Sequence, residues 1–175
     1  MHDVLQRYID PSFRYKFLQN PDVVRTVDDA RRGGINCISL AHLALRDLFG
    51  NELPSHLNFA ETYLDSTYFT AVDNITEATR GDLLWFGVEN PVIQPHEFQP
   101  SYQAGKLVNW RDFPVKHTAV HTGTVDGEGS PLLLHATHLE GTNTIWPLPK
   151  FSHYRRYRRL YGISRLRHPQ GILDR

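Results

Sequence analysis

From residue 37 the apolar positions fall at steps of three and four: Cys37, Leu40, Ala41, Ala44, Leu45 and Leu48 form one helical stripe, and Gly50 followed by Pro54 supplies its stop. Asn36 stands directly before it, where a short side-chain oxygen can accept an unpaired first-turn amide, so the pattern places Cys37 in the first turn of a helix. A shorter stripe, Val23, Val24, Val27 and Ala30, predicts a helix within residues 22–32 that ends at Gly33-Gly34. Residues 55–79 are mixed, with a helix expected around 57–68. The turn signal Arg80-Gly81-Asp82 then feeds the apolar run Leu83-Leu84-Trp85-Phe86, which reads as a buried strand.

Beyond residue 115 the period changes. Residues 117–123 and 132–136, separated by the turn-rich segment Asp126-Gly127-Glu128-Gly129-Ser130-Pro131, predict a hairpin. Residues 144–148 and 161–167 predict two further strands. Helices first and antiparallel strands after make the expected class α+β. Residues 1–21, with Tyr8, Phe13, Tyr15, Phe17 and Leu18, read as an N-terminal arm packed on the body. Residues 87–115, with Pro91, Pro95, Pro100 and Pro114 and no clear period, read as a long insertion loop, a length that is uncommon unless the loop has a use; with Phe98, Tyr102, Trp110 and Phe113 it either walls a cleft and narrows its specificity or is a packed surface excursion.

The remaining quantities narrow the possibilities. A chain of 175 residues without internal repeats or low-complexity linkers predicts one domain, able to bury about two-thirds of its extended surface without disulfides. One cysteine excludes an internal disulfide in any case. Lys and Arg number 19, and so do Asp and Glu, so no global field draws the protein to nucleic acid or membrane. No run approaches the roughly 18 apolar residues of a membrane span, and the opening residues lack the apolar core of a secretory signal. The default expectation is therefore the cytoplasm, with nonclassical export or a phage particle as other routes.

The chemistry centres on the single thiol. A helix N-terminus favours a thiolate through its free amides and the positive end of the macrodipole, and Cys37 is placed to feel both. A nucleophile also needs a base. His117 and His121 share a face of their strand, and a hairpin partner can present His135 beside His117. A helix N-terminus facing that sheet would bring Cys37, His117 and His135 together. The competing reading makes Cys37 a small buried hydrophobe. Histidines 117, 121, 135 and 138 also raise the question of zinc, but four residues along an extended strand put His117 and His121 about 13 Å apart, too far for one ion.

Five blocks in order, Gly34-Ile35-Asn36-Cys37-Ile38-Ser39-Leu40, Gly50-Asn51-Glu52-Leu53-Pro54, Gly81-Asp82-Leu83-Leu84-Trp85-Phe86, His117-Thr118-Ala119-Val120-His121-Thr122-Gly123 and His135-Ala136, resemble the unpermuted NlpC/P60 family of papain-like cysteine peptidases over about residues 22–148. The resemblance implies a papain-like fold with the Cys-bearing helix packed on an antiparallel sheet. It implies Cys37 as nucleophile, His117 as general base and acid, and His135 as the residue orienting His117. It further implies amide cleavage in cell-wall peptides, with no cofactor and no metal. The chain departs from the family at the usual Asp-Cys-Ser-Gly, here Asn36-Cys37-Ile38-Ser39, and has no tyrosine just before Gly33, which points to a different substrate pocket around the same thiol chemistry.

The segment 150–175 is basic, with Lys150, Arg155, Arg156, Arg158, Arg159, Arg165 and Arg167 interleaved with Tyr154, Tyr157 and Tyr161. Such a pattern is either a solvated face or a grip for an anionic polymer or a protein partner. The expected function is a cysteine hydrolase, an amidase or endopeptidase acting through an acyl-enzyme. The alternatives are an acyltransferase using the same thiol and a papain-like binding module without turnover, as in a phage or toxin system.

Overall fold

The computed structural model describes residues 3–17, 24, 26–50, 53–54 and 57–167. Thr26 accepts the Asp29 amide and opens α1 (Val27–Gly33), which starts later than the apolar spacing predicts because that cap fixes its origin. Val23 lies outside the described residues. Gly34, at φ 91°, closes α1 where a Cβ would come within 2.6 Å of Lys16, so the turn and the close passage of the arm both require glycine. Asn36 then caps α2 (Cys37–Phe49) through its bond from the Ser39 amide, and Gly50 ends it in the left-handed conformation. Asn58 and Glu61 form a capping box on α3 (Phe59–Leu64), which Asp65 terminates earlier than the expected 68.

Among the described residues eight strands follow: β1 (Phe69–Ala71), β2 (Leu83–Gly87), β3 (Tyr102–Gln103), β4 (Lys106–Leu107), β5 (Val115–Val125), β6 (Pro131–Thr137), β7 (Thr142–Pro147) and β8 (Arg159–Leu166). Six of them form one antiparallel sheet in the order β1-β8-β2-β5-β6-β7, while β3 and β4 pair within the 87–115 excursion. The four-residue α4 (Leu148–Phe151) follows β7. The class is thus α+β, as the pattern predicts. The strand β1 was not legible in the sequence, since three residues are too few to show a period.

The central strand β2 is buried along its whole length because both of its faces are covered. Leu83 and Trp85 join Val120, Leu134 and Ala136 against α2 in the larger core. Leu84 and Phe86 join Ala119, Leu133, Trp146, Phe151, Tyr157 and Ile163 in a second core on the opposite face. Burial at about 25 cal/mol per Å² of apolar surface is what holds both layers. The arm belongs to the first layer: Leu5, Tyr8 and Phe13 are buried, Tyr8 donates to Asp47 of α2, and the Asn143 amide donates to the Tyr8 carbonyl. A parallel bridge joins Tyr15 to Ile35, just before the cysteine. Leu18 of the arm lies outside the described residues.

Asp82, the acid of the Gly-Asp block, has a structural place. It is buried, accepts from Arg165 Nε and Nη2 at 2.9 and 2.7 Å, and accepts the Thr79 amide at 2.8 Å, tying the entry of β2 to β8. Among the described residues no helix is long and apolar enough to cross a membrane.

Candidate active site

Cys37 is the first residue of α2, and the backbone there decides its surroundings. The Ser39 amide is taken by Asn36 Oδ1 and the Leu40 amide by the Asn36 carbonyl. The amides of Cys37 and Ile38 remain, and both face Sγ together with the amide of Thr118 on β5. The β5–β6 ladder begins at Val120↔Leu134, so Thr118 lies beyond its paired end and its N–H is directed at the thiol.

His117 and His135 meet as the hairpin reading requires. His117 Nε2 lies 2.8 Å from His135 Nδ1, with the two rings nearly perpendicular. Their location relative to α2 differs from the expectation. Both rings sit in the second core, His117 stacked on Tyr157 at 4.3 Å and His135 against Trp146 and Phe151 at 4.4 and 4.8 Å. The cause is a bulge. Phe86 pairs with His117 but Gly87 pairs with Val115, so Lys116 is an extra residue. It leaves Val115 in the core under α2 and turns His117, Ala119 and their alternates to the other side. Cys37 approaches from the α2 side and makes no hydrogen bond to His117. The two are linked through the adjacent Thr118 amide and through Tyr157, whose phenol is near enough to Cys37 that a thiolate there would raise its pKa, while its ring covers His117.

Burial dominates the electrostatics. It pushes the Cys37 thiol up to about 11, overriding the three amides that favour the thiolate. The expected thiolate is therefore not the resting state. Burial, reinforced by His135 and His138, holds His117 well below the ordinary imidazole range, and burial takes His135 down to about 3, with Lys150 adding to the effect. At neutral pH both rings are uncharged. Two tautomer assignments then fit the 2.8 Å contact, and in the one where His117 Nε2–H donates to His135 Nδ1, His117 Nδ1 carries a free lone pair. The remaining nitrogen, His135 Nε2, is buried without a hydrogen-bond partner, facing an aromatic surrounding of Trp146 and Phe151.

Beside Cys37 lies a cavity of about 110 Å³ whose wall is mostly apolar: Tyr15 and Phe17 from the arm, Phe59 and Ala60 from α3, and Leu107, Trp110 and Phe113 from the excursion. The excursion is therefore part of the site and not a detached loop. Of the excursion's aromatics that the sequence offers as a cleft wall, Trp110 and Phe113 line the cavity; Tyr15, Phe17, Phe59 and Tyr157 were missed as site residues, because each comes from a segment far away along the chain with no motif of its own.

The basic segment is not a helix face. Tyr154 stacks on Trp146, and Tyr157 is buried on His117, so two of its tyrosines serve the second core and not a bound polymer or partner. Arg165 and Arg158 pair with Asp82 and Glu89. Arg155 and Arg158 line, with Arg111 and Lys116, an open cleft of about 780 Å³. Residues 168–175 lie outside the described ones. Among the described residues no three His, Cys, Asp or Glu side chains converge as metal ligands.

Comparison with protein-family models gives no match. Comparison with curated proteins likewise gives no significant match.

Proposed function

We propose that the protein is a papain-like cysteine amidase of the NlpC/P60 type, with Cys37 as nucleophile, His117 as base and acid, and His135 as the residue that orients His117. The observation that carries this reading is the 2.8 Å contact of His117 Nε2 with His135 Nδ1 directly after the strand end that meets Cys37. A ring nitrogen fixed by a second residue leaves the other nitrogen in one defined state, which is the logic of a nucleophile, a base and its orienter.

The resting pair is thiol and neutral imidazole, so proton transfer accompanies attack. In this reading substrate binding draws Sγ and His117 Nδ1 into hydrogen-bond reach; the Sγ proton then passes to Nδ1 as the Sγ–C bond forms, and the carbonyl electrons move onto oxygen. The Cys37 and Ile38 amides, left open by the cap, are donors for that oxyanion. The C–N bond then breaks with the imidazolium returning its proton to the leaving amine. Water, deprotonated by the same ring, releases the acid and restores the thiol. Cell-wall peptides are the substrate class implied by the resemblance, and an amine acceptor in place of water turns the same thioester into a transfer product.

The test is turnover of a panel of peptide amides, cell-wall peptides included, by wild type and Cys37→Ala. The variant is expected to lose at least about 10³-fold in kcat; retained turnover overturns the mechanism. A product assay with and without an added amine separates hydrolysis from transfer. One observation favours a second reading, a binding module on the same scaffold: the thiol is held protonated and is not bonded to His117. That reading predicts no turnover in either protein.

A further inference from the structure

The cavity beside Cys37 has a chemistry of its own. Among the described residues its polar contributions are the Tyr15 phenol, the Cys37 thiol, the Trp110 indole, the side-chain amides of Asn36 and Asn58, and one cation, Lys116, whose amine donates to the Arg111 carbonyl at 2.6 Å. No acid lines it. The other walls are aromatic and aliphatic, and Phe59 and Phe113 are fixed edge-on to each other at 6.2 Å, so the surface is preformed. A dry cavity of about 150 Å³ accepts benzene. At about 110 Å³ and open at one side, this one holds a branched aliphatic group or a single ring and excludes a long chain.

The cavity also has a side. The proton for a leaving amine comes from His117, and His117, His135 and Tyr157 are all absent from its lining; they lie across β5 in the second core. The half of the substrate that departs must pass the histidine. The half that stays on sulfur therefore faces the cavity.

From these observations we infer that the acyl half of the substrate carries an uncharged group of leucine to phenylalanine size next to the scissile carbonyl, seated between α3 and the 107–113 wall. This rests on the amidase reading for the word acyl, while the pocket itself is tested apart from turnover. An anionic group, such as a γ-glutamyl carboxylate, would be desolvated against the apolar walls, with Lys116 at the rim as the one cation among the described lining residues to offset that cost. Full burial of such an apolar side chain corresponds to a preference on the order of 10- to 100-fold over glycyl.

The experiment has two arms. In the first, N-isobutyl-, N-benzyl- and N-carboxymethyl-iodoacetamide alkylate Cys37, followed by intact mass and normalised to the same reagents on glutathione. The apolar reagents are expected to gain about 10-fold or more over the carboxymethyl one, and Trp110→Ala, which removes a half-buried part of the wall, is expected to reduce that gain several-fold. Equal normalised rates, or preference for the anionic reagent, overturn the inference. In the second arm, leucyl, phenylalanyl, glycyl and γ-glutamyl coumarin amides are compared by kcat/KM. Cleavage with γ-glutamyl preferred overturns the pocket and leaves the amidase reading standing. Apolar selectivity in alkylation without cleavage of any amide overturns the amidase reading and leaves the pocket standing. A Cys37 inert to every reagent even at pH 10 overturns both.

Discussion

His117 Nε2 and His135 Nδ1 lie 2.8 Å apart across the end of the β5–β6 ladder, and that one contact selects which nitrogen of His117 is free. Removing it leaves the ring to rotate and to exchange tautomers. His135→Ala is expected to lower kcat by about 10²-fold or more. His135→Asn is expected to recover part of the loss, since its amide oxygen can accept from Nε2–H. Steady-state kinetics of both variants check this, and equal activity of all three proteins would contradict the assigned role.

The thiol makes a second prediction. With its pKa pushed up to about 11, Cys37 should show an iodoacetamide rate that keeps climbing well above pH 8.5, with an apparent midpoint near 11. Because no hydrogen bond joins Sγ to His117, His117→Ala should leave that midpoint nearly in place. A plateau near neutral pH in the wild type would show an ion pair that this geometry does not contain.

Buried histidines give the acid limb of stability its sign. Burial lowers His42 to about 4 and His135 to about 3, so below the unfolded value of about 6.5 the unfolded chain binds protons that the folded one refuses. Stability is complete above about pH 6.5 and is lost as pH falls toward those folded values, by about 1.4 kcal/mol per histidine for each pH unit. Denaturant unfolding at pH 7, 6, 5 and 4.5 is expected to show that steepening decline. His42→Gln, able to keep the bond to Thr62 at 3.2 Å, should move the acid midpoint to lower pH.

Asp82 provides a control away from the thiol. Its carboxylate accepts both Arg165 bonds and the Thr79 amide from a buried position, while Arg165 remains partly exposed. Asp82→Ala is expected to cost about 2 kcal/mol, read as a drop in Tm of roughly 4–8 °C. The alkylation rate of Cys37 at 25 °C should change little, which separates the family-like Gly-Asp block from the chemistry.

The parts of this fold that follow from local rules were legible. The apolar stripe with Asn36 before it gave α2 and the position of Cys37 on its first turn, and alternation gave the hairpin that joins His117 to His135. What failed was register. Nothing in Val115-Lys116-His117 announces that Lys116 is unpaired, yet that residue sends Val115 and His117 to opposite faces and separates the histidines from the layer of α2. The cavity wall was legible only in the excursion's Trp110 and Phe113; Phe17 and Phe59 meet them only through tertiary packing. The tyrosines of the basic segment misled for a related reason: their exposure was assumed from charged neighbours, and Tyr157 is instead buried on His117.

The unpaired Lys116 has a further consequence for how such a protein can change. It stands between the excursion that supplies Leu107, Trp110 and Phe113 and the strand that fixes His117. Offsets in chain length upstream are absorbed at the bulge before they reach the histidine. The register of His117 is thereby decoupled from residues 88–114, so the excursion can be lengthened, trimmed or exchanged to reshape the cavity wall while the contact of His117 with His135 stays where it is.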